Sequence, residues 1–346
     1  MRGLAVAGAC AIAALAGLPA TAQVKPEADG LTTRPIDITA RPITSFSKLG
    51  TSGARVGKLT FVGGLVLTSS DPHFGGWSGL AMDADGSGLF AISDGGAYLS
   101  ARLVTENGKP KALAEAVIGP IRAMSGAGLA KGRDRDAEAI TITKGSTRNG
   151  EALIAFEQNH RIGRFSISGG RLSAPKSYLR PKGGDWRIST NNGIEAMTVL
   201  SGGRHRGALI AIAETMRDKA GRHTGWLWVG DSPRRFTLSD IGGYDITDVA
   251  PLDDGGIVIL ERRFRWLEGV KMRLRRVSQS EIGVGRHIEG EVLLEADMAS
   301  EIDNMEGLAA HPAPAGGTLL TLVSDDNFNA VLQRTLLLQF LLPPAD

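Results

Sequence analysis

Cysteine is nearly absent from this 346-residue chain, the single one being Cys10. Once the N-terminus is removed, disulfides, a cysteine nucleophile and a zinc–thiolate site are all excluded. Aromatic residues are also few: five tryptophans, three tyrosines and ten phenylalanines. Neither sign of charge dominates, since 39 Lys+Arg against 37 Asp+Glu leave a net charge of +2. The basic excess of a nucleic-acid binder is missing, so no nucleic-acid partner is expected. Long apolar runs are confined to the start of the chain. Arg2 precedes an uncharged stretch over residues 4–18, and Ala20-Thr21-Ala22 forms a small-x-small cleavage site before Gln23. This is the pattern of a secretory signal peptide over residues 1–22, cleaved after Ala22. The apolar stretch 336–342 is short and carries Gln339, so no membrane span is expected in the mature chain. The product is expected to be a periplasmic or secreted monomer. Residues 23–41 are rich in proline, threonine and charge without periodicity, and read as a disordered or surface-draped leader.

Glycine, by contrast, is abundant at 46 residues, roughly twice the usual share of about 7%. Its placement recurs. Five stretches each contain two apolar strands around a glycine turn, anchored at Gly79, Glu138, Glu195, Asp248 and Glu306, with spacings of about 57 residues. In the fourth, Ile246-Thr247-Asp248-Val249-Ala250 leads through Asp253-Asp254-Gly255-Gly256 into Ile257-Val258-Ile259-Leu260-Glu261. Two alternating segments follow each pair, as in 161–167 and 171–179, or 225–230 and 234–238. Four short antiparallel strands per repeat predict an all-β fold, a β-propeller over residues 42–346. Five blades are counted. The last would take residues 331–342 as its third strand and 58–67, from the other end of the chain, as its fourth. A count of six stays open if residues 42–70 and the C-terminal stretch hide another degenerate unit.

The start of a blade's first strand and the end of its second lie at the same mouth of the central channel. Nine acids are predicted there: Glu138, Glu195, Asp248 and Glu306 at first-strand starts, and Asp94, Glu157, Glu214, Glu261 and Asp325 at second-strand ends. A ring of carboxylates repels itself and needs a cation, arginines or open solvent to balance it. Oxygen donors in such number suit a hard divalent ion, calcium above all, and Asn191, Asn192, Asn304, Asn327 and Asn329 add neutral oxygens. Glu138, Glu195, Asp248 and Glu306, with Asp94 and Asp325, are the candidate metal ligands. Glu157, Glu214 or Glu261 is the candidate base, and His160 a candidate acid–base group. Arg161, Arg217 and Arg262 follow closely on acids and would grip a small anionic or ester substrate. The competing structural reading is that acids at strand ends bond backbone amides of the next blade and hold the blades in register. Asp83-Ala84-Asp85-Gly86 reads as a turn on the opposite face, and no G-x-S-x-G nucleophile elbow is present.

Taken as an ordered set, Phe74-Gly75-Gly76-Trp77-Ser78-Gly79-Leu80, Ile92-Ser93-Asp94-Gly95-Gly96, Asp136-Ala137-Glu138-Ala139-Ile140, Gly193-Ile194-Glu195-Ala196-Met197 and Asp303-Asn304-Met305-Glu306-Gly307-Leu308 resemble the phytase-like ("esterase-like activity of phytase") family of bacterial exported proteins. The resemblance covers roughly residues 42–342. It implies a β-propeller and a hydrolase of phosphate or other esters. The aspartate-dense metal motifs of β-propeller phytases, of the D-A-x-D-D-P-A type, are absent, which weighs against phytate as the substrate. A calcium-dependent ester hydrolase at the acid-lined mouth is therefore the leading expectation. A sugar-lactone hydrolase and a non-catalytic binding propeller are the alternatives.

Overall fold

A computed structural model describes residues 30–50, 54–129, 132–179 and 193–344. The aliphatic runs form strands because each is flanked by turn residues and is buried on both faces between neighbouring sheets. Near the N-terminus lie β1 (Arg34–Pro35), β2 (Thr39–Ile43), β3 (Arg55–Val56) and β4 (Leu59–Thr68). The first blade is then β5 (Trp77–Met82), β6 (Gly88–Ser93), β7 (Ala97–Glu106) and β8 (Lys109–Pro120). A four-residue helix, α1 (Gly132–Arg135), precedes the second blade: β9 (Ala137–Gly145), β10 (Asn149–Phe156), β11 (Arg161–Ser168), β12 (Arg171–Leu172) and β13 (Ser177–Leu179). The third comprises β14 (Ile194–Val199), β15 (Leu209–Arg217), β16 (His223–Val229) and β17 (Ser232–Leu238). The fourth starts with β18 (Asp245–Pro251), β19 (Ile257–Arg265) and β20 (Gly269–Val277). After β21 (His287–Ile288) it ends with β22 (Glu291–Ala296). The fifth contains β23 (Asn304–Pro312), β24 (Thr318–Asp325) and β25 (Thr335–Leu342).

The strands form five sheets among the described residues, with β1 added to the first blade, β21 to the third beside β17 and β2, β3 and β4 to the fifth, and the innermost strands are β5, β9, β14, β18 and β23. The molecule is a five-bladed β-propeller, so the sixth blade left open by the sequence is not needed. The ring closes as expected, with β4 pairing antiparallel to β25 (Leu65 opposite Leu337). Phe46 and Phe61 pack on Phe340 of that seam with centroids 5.1 and 5.4 Å away.

Two details refine the expectation. Of the two readings of the 23–41 leader, disordered or surface-draped, its described residues follow the second: β1 pairs with β8 and β2 with β4 at outer sheet edges, and Leu31 is buried. Its proline-rich, aperiodic sequence suits outer-edge strands, where unpaired N–H positions are tolerated. The fourth strand of the second blade is broken into β12 and β13, both paired to β11. The turns between first and second strands pack against one another around the ring. At Gly255 (φ +86°) a Cβ would lie 2.6 Å from the backbone nitrogen of Gly203 in the preceding blade's turn, so only glycine fits.

Candidate functional site

The acids reach the channel through a repeated defect in the ladder. In every innermost strand one residue near the start has no partner on the second strand. Registers jump between Trp77 and Gly79, Ala137 and Ala139, Ile194 and Ala196, Ile246 and Asp248, and Met305 and Gly307. The unpaired residues are Ser78, Glu138, Glu195, Thr247 and Glu306. A bulge re-aims a side chain that regular alternation would place between the sheets. Ser78, Glu138, Glu195 and Glu306 line a cavity of about 540 Å³ at the mouth of the ring.

A second tier comes from the ends of the second strands. Asp94, Glu157 and Glu214 each donate a backbone N–H to the residue just before the inner strand or its first turn, namely Gly76, Asp136 and Gly193. Asp325 pairs with Asn304 in the same place. In the fourth blade the residue at this position, opposite Asp245, is Arg262. The mouth therefore holds seven carboxylates on these two tiers and one guanidinium. Arg262 lies 3.1 Å from Glu306 and 3.7 Å from Glu214. Three-acid groups whose oxygens lie within 4.8 Å of one another are Asp136–Glu138–Glu157 and Glu157–Glu195–Glu214, so Glu157 belongs to both.

Burial and mutual repulsion hold Glu138, Glu157, Glu195, Glu214, Glu306 and Asp325 toward the neutral form. Desolvation is the larger cause for Glu138 and Glu195, both pushed well above the usual carboxylate range, with neighbouring acids adding to it. Desolvation likewise raises Glu214 and Glu306 to about 7, against the opposing charge of Arg262. Asp325 rises to about 8, from burial and then from Asp94 and Glu306. Arg262 is held in its charged form: the negative charge of Glu306 first, with Glu214 and Glu195, raises it above the usual guanidinium value against the desolvation that would lower it.

A family model described as "Phytase-like: Esterase-like activity of phytase" matches residues 72–328. The chain belongs to this phytase-like family. No curated protein matches it in sequence. Among solved structures, the β-propeller domain of Cps50 (Swd1) from Myceliophteria thermophila is similar. It is 11% identical, covers 88% of this chain and 99% of that one, and has a TM-score of 0.35, too low to carry an argument about function.

In this phytase-like domain two of the nine expected acids are not at the mouth. Asp248 sits one residue beyond the bulge and points between blades, where its carboxylate accepts the N–H groups of Val249 (2.8 Å) and, in the next blade, Leu308 (2.7 Å). It is buried, and it holds blades in register, as the structural reading of such acids anticipated. Glu261 sits one residue before Arg262, faces the opposite side of the strand, and is buried against Arg275, with Arg273 3.7 Å away. Neither residue lines the cavity at the mouth.

The arginines also separate. Arg161 stacks 3.9 Å over Phe156 and bonds the carbonyls of Asn159 and Asp134. Arg217 is occupied by Asp240 and Asp245 and by the carbonyls of Glu214 and Tyr244. Both brace the rim; of the three expected substrate-binding arginines, only Arg262 lines the cavity. His160 lies in the turn over residues 157–160 and does not line it either. Asn304 and Asn327 do, whereas Asn191 and Asn192 lie outside the described residues.

Sequence reasoning missed Ser78, Thr247, Asp136 and Asp303. Asp136 precedes the second inner strand and completes one three-acid group. Asp303 accepts the N–H of Asn304 at 2.9 Å and of Arg334 at 3.1 Å, fixing the approach to Glu306. Aligning the apolar residues Trp77, Ala137, Ile194, Ile246 and Met305, instead of the acids, would have placed Thr247 and Asp136 correctly.

Proposed function

We propose that the protein is an exported, calcium-dependent hydrolase of carboxylic or phosphate esters, working at the acid-lined mouth of the propeller. The observation that carries this reading is the pair of three-acid groups sharing Glu157. Every donor there is a carboxylate oxygen, with amide and hydroxyl oxygens of Asn304 and Ser78 nearby in the cavity. Such a set fits a hard divalent cation and offers no nitrogen or sulfur ligand to zinc or copper. Asp136, Glu138, Glu157, Glu195 and Glu214 would hold the ion. When bound, a divalent cation supplies Lewis acidity toward a carbonyl or phosphoryl oxygen and neutralises the acids around it.

The chain's own groups do the rest. Arg262 presents its remaining N–H groups to an anionic substrate oxygen, held in place by its ion pairs to Glu306 and Glu214. Glu306 belongs to neither three-acid group and lines the cavity beside Arg262. It is the carboxylate we assign to accept a proton from the attacking water. The water oxygen bonds to the ester carbon or phosphorus, the bond to the leaving alkoxide breaks, and that alkoxide takes up the proton. Export rests on the signal-like segment 1–22, and a secreted product beginning at Gln23 would support it.

Metal analysis of the purified protein, followed by assay on p-nitrophenyl acetate and p-nitrophenyl phosphate, tests the proposal. Turnover should disappear in EDTA and return with calcium. Full activity in EDTA would end the metal role, and tight calcium binding without turnover on either ester would favour a binding propeller instead.

A further inference from the structure

The cavity has a second wall that plays no part in holding a cation or moving a proton. In the fourth blade, β19 and β20 form a hairpin in which Phe264 lies two residues beyond Arg262, on the same face of the strand, and opposite Val270. Phe264 and Val270 both line the cavity, as do Met298, from the connection leading into β23, and Leu332, from the connection between β24 and β25. Phe264, Met298 and Leu332 are 58%, 45% and 77% exposed. Large apolar side chains left open to water and grouped beside convergent polar groups mark a ligand-binding surface. Asp94, Glu138, Glu195 and Arg262 line the same cavity, so acidic, basic and large apolar side chains share it.

We propose that this apolar wall is the subsite for one arm of the substrate. The preferred substrate is then an ester bearing an apolar acyl, alkyl or aryl group next to the bond that is cleaved. The inference rests on the hydrolase reading of the same mouth. Its physical basis is continuity: an ester oxygen near Arg262 places its substituent two residues along the same strand face, against Phe264. A compact, multiply charged anion would gain nothing from this wall. Phe264 and Leu332 act here as specificity determinants, without contact to the reacting atoms.

Calorimetric titration of the calcium-loaded protein with methylphosphonate and hexylphosphonate, neither of which can be hydrolysed as an ester, reads the subsite directly. Hexylphosphonate should bind about tenfold more tightly or better, given what a few methylenes contribute in an apolar pocket. The double variant Phe264→Ser/Leu332→Ser should lose most of that ratio while binding methylphosphonate and melting as the wild type does. Equal affinity for the two phosphonates, or a ratio untouched in the double variant, overturns the subsite. Parallel assays on p-nitrophenyl acetate and butyrate separate the two readings. Cleavage of both at the same kcat/KM, with equal phosphonate affinities, removes the subsite and leaves the hydrolase. A preserved phosphonate ratio with neither ester cleaved removes the hydrolase and leaves the subsite.

Discussion

Glu157→Gln should lower calcium affinity by about 100-fold or more and take ester hydrolysis down with it. The reason is position: Glu157 is the carboxylate common to both three-acid groups, so its loss weakens both. Removing groups that merely orient a metal ligand already reduces affinity by roughly 10–100-fold, and a shared ligand should matter more. The fold should be unharmed. Glutamine retains the oxygen that accepts the Gly193 N–H at 3.2 Å, and one source of repulsion in the metal-free ring is removed. Glu261→Gln supplies the contrast. It leaves Arg275 buried without its counter-charge, a change that typically destabilises by about 3–5 kcal/mol, yet calcium affinity should hold. Titration calorimetry and thermal melts on the two variants decide the matter. If Glu157→Gln binds calcium as tightly as the wild type, Glu157 is not a ligand.

Stripped of divalent ions, the protein should be most stable near pH 5 and should weaken steadily toward pH 8. Glu214 and Glu306 titrate at about 7 and Asp325 at about 8 in the folded protein, all well above their unfolded values. Between the unfolded and folded values the native state holds more protons, so stability falls as pH rises through that window. A single buried group raised by this much corresponds to about 3 kcal/mol, and the coupled set contributes on that order or more. His223 acts at the acid end. Its burial depresses it to about 4, so the stability it confers is lost as pH falls from its unfolded range toward 4. Saturating calcium should flatten the alkaline limb, because an ion bound only by the folded, deprotonated ring adds about 2.7 kcal/mol at a hundred times its dissociation constant. A melting temperature in EDTA that is level from pH 5 to 8 would mean that these acids are not held above their unfolded values.

The architecture was legible in the sequence because it is carried by redundancy. Five copies of an apolar hairpin with a glycine turn survive divergence at any one position, and the pairing of 58–67 with 331–342 followed from counting strands. The site was legible only in part. In four blades the acids mark the mouth correctly, but in the fourth both acids were aligned one residue out of register. A shift of one residue in a strand moves a side chain to the other face. Asp248 and Glu261 thus lie inside the blade stack; Thr247 occupies the bulge but is buried against backbone carbonyls, and Arg262 lines the mouth. Charge matching misled because a buried structural acid and a channel acid look identical in one dimension. The bulge that distinguishes them is a property of pairing between strands.

The seam between β4 and β25 has a further consequence for how the chain reaches this state. The seam joins β4, from the early part of the described chain, to β25, the last described strand, across most of the sequence. Until residues 335–342 are available, β4 offers an open apolar edge, ready to pair with another molecule. The sheets can assemble in sequence, but the circle is latched only at the end. That makes β25 the latch of the ring: without it the chain would keep every carboxylate of the mouth in its sequence and have no closed ring to hold them at fixed spacing.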